Sequence, residues 1–169
     1  MNDDNLTQTS KDLFKDCPLL FRLTSGYYDP EDALTPEEIA FAKSQGLDSI
    51  PPMLHHPPIA SWGLEIGEGW ITIVRRAGLE IEGELHKMVR NGADINLLPA
   101  IFQIKEKFGG LRFSLRRIDR AAYPDPIRQI VARVIREAET VCERCGQPGE
   151  LRKGQWRSVL CIDCCSEKP

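Results

Sequence analysis

Two cysteine pairs, Cys142-Glu-Arg-Cys145 and Cys161-Ile-Asp-Cys164, determine how the last quarter of this chain folds. Each pair places two thiols on one side of a tight turn, and the fifteen residues between the pairs are enough for a short hairpin. Two such turns side by side supply the four sulfur ligands of a structural zinc site. The spacing therefore predicts a zinc ribbon that holds one structural Zn²⁺ through Cys142, Cys145, Cys161 and Cys164.

The main alternative for these cysteines is a pair of disulfides or a set of inert thiols. The N-terminal residues lack the basic and apolar regions of a secretory signal, and no apolar run approaches the ~20 residues of a membrane span. We therefore expect a cytoplasmic protein, in which reduced Cys-x-x-Cys pairs bind metal more often than they oxidise. Cys165 could replace Cys164 as a ligand, but the two-residue spacing favours Cys164. Cys17 is expected to be an ordinary apolar residue.

Composition predicts a globular chain with an uneven charge distribution. Hydrophobic residues make up 41% of the 169, enough for one domain with a core plus a small ribbon. Residues 1–99 carry sixteen acidic and eight basic side chains, whereas residues 100–169 carry nine and fourteen. A balance of −8 against +5 leaves two interpretations open: a basic surface for an anionic partner, or two halves that neutralise each other internally.

The first sixty residues form an acidic, proline-rich N-terminal segment. Ser10 is expected to cap a short helix that ends before Pro18. Thr35-Pro36-Glu37-Glu38 has the composition of another helix start. Four prolines in Ile50-Pro-Pro-Met-Leu-His-His-Pro-Pro58 exclude a regular helix, so this stretch is predicted to be an extended arm on the surface.

Residues 61–141 carry two amphipathic helix patterns. The first follows the turn Gly67-Glu-Gly-Trp70 and ends at Asn91-Gly92. Its apolar stripe comprises Trp70, Val74, Ala77, Ile81, Leu85 and Met88. The second follows Asp125, which is expected to cap it, and Pro126. Its stripe comprises Ile127, Ile130, Val131, Val134, Ile135, Ala138 and Val141.

A β-hairpin is predicted between these helices. Ile101-Phe-Gln-Ile104 leads to a second strand, Leu111–Leu115, in which apolar and polar residues alternate. Gly109-Gly110 supplies the backbone freedom of the turn. On the second helix, Arg133 and Glu137 are four residues apart and are expected to pair. The predicted fold is α+β: two or three amphipathic helices packed on a β-hairpin, with a zinc ribbon over 142–169 that continues directly from the core.

Three blocks of sequence resemble a family of small zinc-binding proteins that is common in phage, prophage and other mobile regions of bacterial genomes. They are Gly67-Glu-Gly-Trp70, Lys105-Glu-Lys-Phe-Gly-Gly-Leu-Arg-Phe113 and Cys142-Glu-Arg-Cys-Gly146. The resemblance covers roughly residues 62–165. Relatives often carry Tyr where this chain has Ser114 and often end the metal site in His where this chain has Cys164. The resemblance implies a bacterial or phage-infected cell and no particular activity.

The sequence offers no recognisable catalytic set, so we expect a protein that is not an enzyme. It contains neither a Walker loop nor a Gly-x-Ser-x-Gly motif. His86-Lys-Met88 lacks the glutamate that a zinc deaminase needs after its histidine ligand. His86 is expected to be a half-buried helix residue. Adjacent histidines at 55 and 56 point apart in an extended segment, so they do not predict a metal pair.

A protein partner is the favoured interpretation. The acidic N-terminal segment and the proline arm suit an immunity protein or inhibitor that is steered towards a basic cleft. The residues predicted to contact this partner are Asp29, Glu31, Asp32, His55 and His56.

Nucleic-acid binding is the alternative, since zinc ribbons often bind nucleic acids. The basic residues that could line one face are Lys105, Lys107, Arg112, Arg116, Arg117, Arg128 and Arg136. Phe108 and Trp156 could stack on bases, although both are more simply expected in the core. A pI near 5.7 is far below that of most nucleic-acid-binding domains.

Overall fold

The chain folds as an α+β protein, which confirms the predicted class. The computed structural model describes residues 7–24, 44, 58–116, 124–154 and 156–166. Its helices are α1 (Gln8–Asp16), α2 (Pro58–Trp62), α3 (Ile71–Arg90), α4 (Asp125–Ala138) and α5 (Ile162–Ser166). Its strands are β1 (Ala100–Lys107), β2 (Gly110–Arg116), β3 (Glu150–Arg152) and β4 (Ser158–Leu160), paired as two antiparallel hairpins. No helix in the described ranges is long and apolar enough to cross a membrane.

The long helix α3 forms as the apolar stripe predicts. The first five residues of the stripe, from Trp70 to Leu85, are buried, and Met88 packs partly against the same core. The helix follows a 3₁₀ turn over Glu68–Trp70, so the predicted Gly67–Trp70 turn is present. At the C-terminal end the amide of Asn91 donates to the Lys87 carbonyl at 3.0 Å, which ends the helix where expected.

The β1–β2 hairpin presents its apolar face to the helices. Ile104 lies opposite Phe113 in the register, and both are buried. The turn is one residue earlier than predicted: Phe108 has a φ of 57° and Gly109 a φ of 76°, while Gly110 already belongs to β2. Two successive positive φ values match the right-handed twist of a hairpin, which is why this two-residue turn is favoured.

Helix α4 packs beside α3 and shows two local predictions to be wrong. Asp125 does not cap the helix with its side chain; it is the first helical residue and pairs with Arg128. Arg133 does not pair with Glu137, because both reach across to α3, where Arg133 pairs with Glu80 and Glu137 with Arg76. An ion pair within one helix competes here with partners that the neighbouring helix brings closer.

The N-terminal segment contributes a described part, residues 7–24, to the main core. Leu13, Leu20 and Phe21 are buried there. Thr7, rather than the predicted Ser10, caps α1 by accepting from the Ser10 amide at 3.2 Å. Ser10 is buried instead, and its hydroxyl accepts from the Leu64 amide at 3.2 Å. The short helix does end before Pro18, as predicted.

Buried Glu82 fastens this segment to α3. Its side chain carries two carboxylate oxygens into the core, where one accepts from the Leu19 amide at 2.9 Å and the other from the Leu20 amide at 2.8 Å. A buried carboxylate is costly unless it is hydrogen-bonded, and both oxygens are satisfied in this way. The predicted helix start at 35–38 and residues 50–57 of the predicted arm lie outside the described residues, and Pro58 begins α2.

Candidate metal centre

Four cysteine sulfurs meet at the point where α4, the β3–β4 hairpin and α5 come together. The four sulfurs all lie within 4.8 Å of one another, and they belong to Cys142, Cys145, Cys161 and Cys164. The Cys145 and Cys161 Sγ atoms are 3.6 Å apart. A tetrahedral zinc ion with Zn–S bonds of ~2.3 Å requires sulfurs about 3.8 Å apart. The sulfur donors and their spacing therefore fit a tetrahedral metal ion, and the structure brings together the four predicted cysteines.

Each Cys-x-x-Cys pair is held by backbone hydrogen bonds of its own turn. In the first turn the Gly146 amide donates to the Cys142 carbonyl at 2.9 Å, and Gly146 adopts a φ of 77° that favours glycine. In the second, the Cys164 amide donates to the Cys161 Sγ at 3.3 Å. Amide groups that point at sulfur stabilise thiolates, which is the form that binds metal. The backbone amides of Arg144 and Cys145 also donate to the Cys142 thiol, so both turns are shaped to present thiolates to a cation.

The four thiols influence one another's ionisation. Burial raises the pKa of Cys142, but backbone amides, first that of Cys161, outweigh this effect and lower the pKa to about 6. The neighbouring Cys145 and Cys161 thiols raise the pKa of Cys164. Four crowded sulfurs cannot all carry a negative charge without a cation, so the cluster favours a divalent ion in place of thiol protons.

The predicted ligand choice at the end of the chain agrees with the geometry. Cys165 is exposed and does not belong to the sulfur cluster, whereas Cys164 does. Cys165 instead continues α5, where its amide donates to the Cys161 carbonyl at 3.0 Å. Cys17, as expected, is a buried apolar residue, and burial raises the pKa of its thiol to about 12.

The turn Gly67–Trp70 packs directly against the first metal-binding turn, and the sequence did not reveal this contact. The Gly69 amide donates to the Glu143 carbonyl at 2.9 Å, and the Trp70 indole donates to the Val141 carbonyl at 2.7 Å. A Cβ on Gly69 would overlap the Cys142 carbonyl oxygen and the Gly146 amide nitrogen. Two glycines one residue apart, directly before a tryptophan, were the available clue, but only the fold shows what approaches them.

The residues predicted for a nucleic-acid face lie on two surfaces. Lys105 and Arg112 are paired in the β1–β2 register, and they alternate with the apolar residues that face the helices. They therefore point away from the helix layer. Arg128 and Arg136 belong instead to the exposed side of α4. Lys107 lies at the hairpin turn and Arg116 at the far end of β2, while Arg117 lies outside the described residues.

The expectation that the aromatic residues belong to the core is wrong for two of them. Phe108 is 71% exposed at the β1–β2 turn, and Trp156 is 83% exposed between β3 and β4. The side chain of His86 is 53% exposed, close to the half-buried helix position expected of it, and its Nε2 lies 3.4 Å from the Glu82 carboxylate. The residues predicted for a protein partner, at 29, 31, 32, 55 and 56, lie outside the described residues.

Comparison of the chain with models of known families, with curated proteins and with solved structures finds no match. The resemblance to phage zinc-ribbon proteins therefore stays a prediction.

Proposed function

We propose that this chain is a non-enzymatic binding protein in which one structural Zn²⁺ holds the ribbon against the α+β core. The observation that carries the proposal is the cluster of four cysteine sulfurs within 4.8 Å of one another. A site with four thiolates fills every position of a tetrahedral zinc ion, so its ligands leave no place for substrate. The role that this ligand set supports is to hold the fold.

The contacts between ribbon and core explain why a metal would matter beyond the ribbon itself. Gly69 and Trp70 bind the backbone on both sides of Cys142, so the first metal-binding turn is part of the packing around α3. A Zn²⁺ ion that fixes this turn also fixes the position of β3 and β4 relative to the β1–β2 hairpin. The metal then shapes a composite surface to which a partner can bind.

The rest of the described structure supports binding rather than catalysis. His86 is held beside Glu82, whose carboxylate is already committed to two backbone amides. A general base needs a lone pair within reach of a nucleophile's proton. Among the described residues, no serine, threonine or cysteine side chain is hydrogen-bonded to His86. The acidic residues predicted to bind a protein lie outside the described residues, so the protein-partner hypothesis rests on sequence alone.

Two cysteine variants test the proposed role of zinc. Cys145→Ser removes one ligand, and we expect it to release the metal and to collapse the dispersed amide signals of residues 142–164 in a two-dimensional NMR spectrum. Cys165→Ser is the matched control, since Cys165 is outside the cluster, and it should keep both metal and spectrum. An unchanged ribbon spectrum in metal-free Cys145→Ser would contradict the proposal.

A further inference from the structure

The tips of the two hairpins meet and form one surface. A Cβ on Gly109, in the β1–β2 turn, would lie 3.3 Å from the Arg157 carbonyl carbon and from the Ser158 amide nitrogen. It would also overlap the end of the Leu151 side chain, and the φ of 76° at Gly109 favours glycine at this position. Residues 153–157 connect β3 to β4, which places Trp156 beside the same contact. We call the residues around this junction the tip surface: Lys107, Phe108, Leu151, Lys153, Trp156 and Arg157.

The aromatic residues of the tip surface are not explained by folding. Phe108 and Trp156 are 71% and 83% exposed, so neither ring contributes much to the core. Phe108 also holds a φ of 57°, a conformation that Asn or Gly adopts at much lower cost in this kind of turn. A large apolar ring that is both exposed and on a strained backbone points to a ligand that uses the ring.

Positive charge surrounds these rings. The Lys107 ammonium lies 5.3 Å from the centre of the Phe108 ring. Lys153 and Arg157 flank Trp156 in the β3–β4 connection, and neither forms an ion pair within the described part of the chain. Beside the tip, Lys105 and Arg112 lie directly opposite each other in the register and add two positive charges to this hairpin.

Fewer acidic than basic side chains lie near the tip surface: Glu106 and, close to it, Glu143 stand against Lys107, Lys153 and Arg157. The Glu106 carboxylate accepts from the Gly109 amide inside the turn. Glu150 lies 3.5 Å from Arg152. The tip surface is therefore locally cationic, and it lies in the half of the chain that carries fourteen basic and nine acidic side chains.

We propose that the tip surface binds single-stranded nucleic acid, with phosphates contacting Lys107, Lys153 and Arg157 and unpaired bases stacking on Phe108 and Trp156. Exposed aromatic rings interleaved with cations are the arrangement by which proteins bind single strands, because every base offers a face for stacking. Paired bases in a duplex do not offer that face, so the surface discriminates against double strands. This inference rests on the proposed function, because the zinc site holds β3 and β4 against the β1–β2 turn.

The test measures fluorescence anisotropy of labelled oligothymidine and oligouridine of about 15 nucleotides, with a DNA duplex of equal length as comparison. We expect the full-length protein to bind at least one single strand more tightly than the duplex. Trp156→Ala and Phe108→Asn should each weaken binding about 5- to 150-fold, the range of one lost stacking contact. Phe108→Asn keeps a residue suited to the turn, so its loss of binding cannot be ascribed to a damaged hairpin.

The matched control is Trp62→Ala. Trp62 is 69% exposed but precedes Glu65, which pairs with Lys105 in a parallel bridge, so it lies towards the Ala100 end of β1. Its removal should leave binding unchanged.

Equal affinity for duplex and single strand, or unchanged binding in both tip variants, would overturn the inference. So would a protein partner that depends on Trp156 together with no oligonucleotide binding. The metal content of the same sample separates the two proposals: zinc-loaded protein without binding contradicts this inference alone, and metal-free folded protein contradicts the proposed function.

Discussion

At the scale of single residues, Gly69 and Glu82 each join segments of the chain that are far apart in sequence. Gly69 has no side chain, yet it is where the core touches the first metal-binding turn, because only a hydrogen fits between the backbones. Glu82 is a charged residue at 5% exposure, yet it joins the N-terminal segment to α3 through two backbone amides. Both act through contacts with residues more than sixty positions away, which no local pattern reveals.

Gly69→Ala should destabilise the protein by about 1–3 kcal/mol, because the added methyl group forces two packed backbones apart. Gly83→Ala is the matched control: no atom of the described residues lies within 4 Å of a Cβ there, and the residue is inside α3. That change should stabilise the protein by about 0.5–1 kcal/mol. Urea unfolding of both variants measures the difference. Equal free energies of unfolding would show that close packing at Gly69 does not stabilise the protein.

Glu82→Gln should cost about 1.5–3 kcal/mol, because an amide group replaces one oxygen that accepts from a buried N–H. Glu84→Gln on the same helix loses only an exposed pair with Lys87 and should cost less than ~0.5 kcal/mol. Thermal unfolding of the two variants compares them directly. A Glu82→Gln variant as stable as the wild type would mean that the N-terminal segment is held by apolar contacts alone.

At the scale of elements, the hairpin shows where sequence patterns succeed. Alternation predicted the buried face of β2 and the period of 3.6 predicted both long helices, because each pattern depends on neighbours within a few residues. The turn position, the helix caps at Ser10 and Asp125 and the Arg133–Glu137 pair were wrong. Each of these features depends on a competing partner or on backbone geometry. Arg133, for example, pairs with Glu80 on the adjacent helix.

The hairpin also offers two phenylalanines in opposite environments. Phe113 is 5% exposed against the helices, and Phe113→Ala should cost about 3–5 kcal/mol in free energy of unfolding. Phe108→Ala should change stability by less than ~0.5 kcal/mol, because its ring is in solvent. Denaturant unfolding distinguishes the two. A loss below about 1 kcal/mol for Phe113→Ala would contradict the packing of the β1–β2 hairpin against the helices.

At the scale of the whole molecule, the cysteine site was predictable and its connection to the core was not. Four ligands at short, regular spacing fix a tetrahedral cluster almost independently of the rest of the fold. The contact at Gly69 and the tip surface arise only where segments that are distant in sequence meet, so they required the structure. The same holds for residues 7–24: the sequence predicted only a short helix there, and the structure shows that Leu20 and Phe21 are core residues.

Deletion of residues 1–24 should therefore abolish cooperative folding. The deleted part includes the buried side chains of Leu13, Leu20, Phe21 and Leu23. At about 1.5–3 kcal/mol each, their burial contributes roughly 6–12 kcal/mol. This sum is comparable with the whole stability of a typical domain, about 5–15 kcal/mol. Deletion of residues 1–6 keeps α1 and its Thr7 cap and should leave the thermal transition in place; a cooperative transition after the longer deletion would contradict the account.

Native mass spectrometry of the intact, reduced protein shows directly whether the four cysteines hold a zinc ion. We predict a mass that corresponds to one Zn²⁺ ion bound in place of two protons, and a chelator should convert it to the metal-free mass. The Cys145→Ser variant should show the metal-free mass from the start, and Cys165→Ser the zinc-bound one. A folded wild-type protein at its metal-free mass, or one linked by disulfides among these cysteines, would contradict the claim that zinc joins the ribbon to the core.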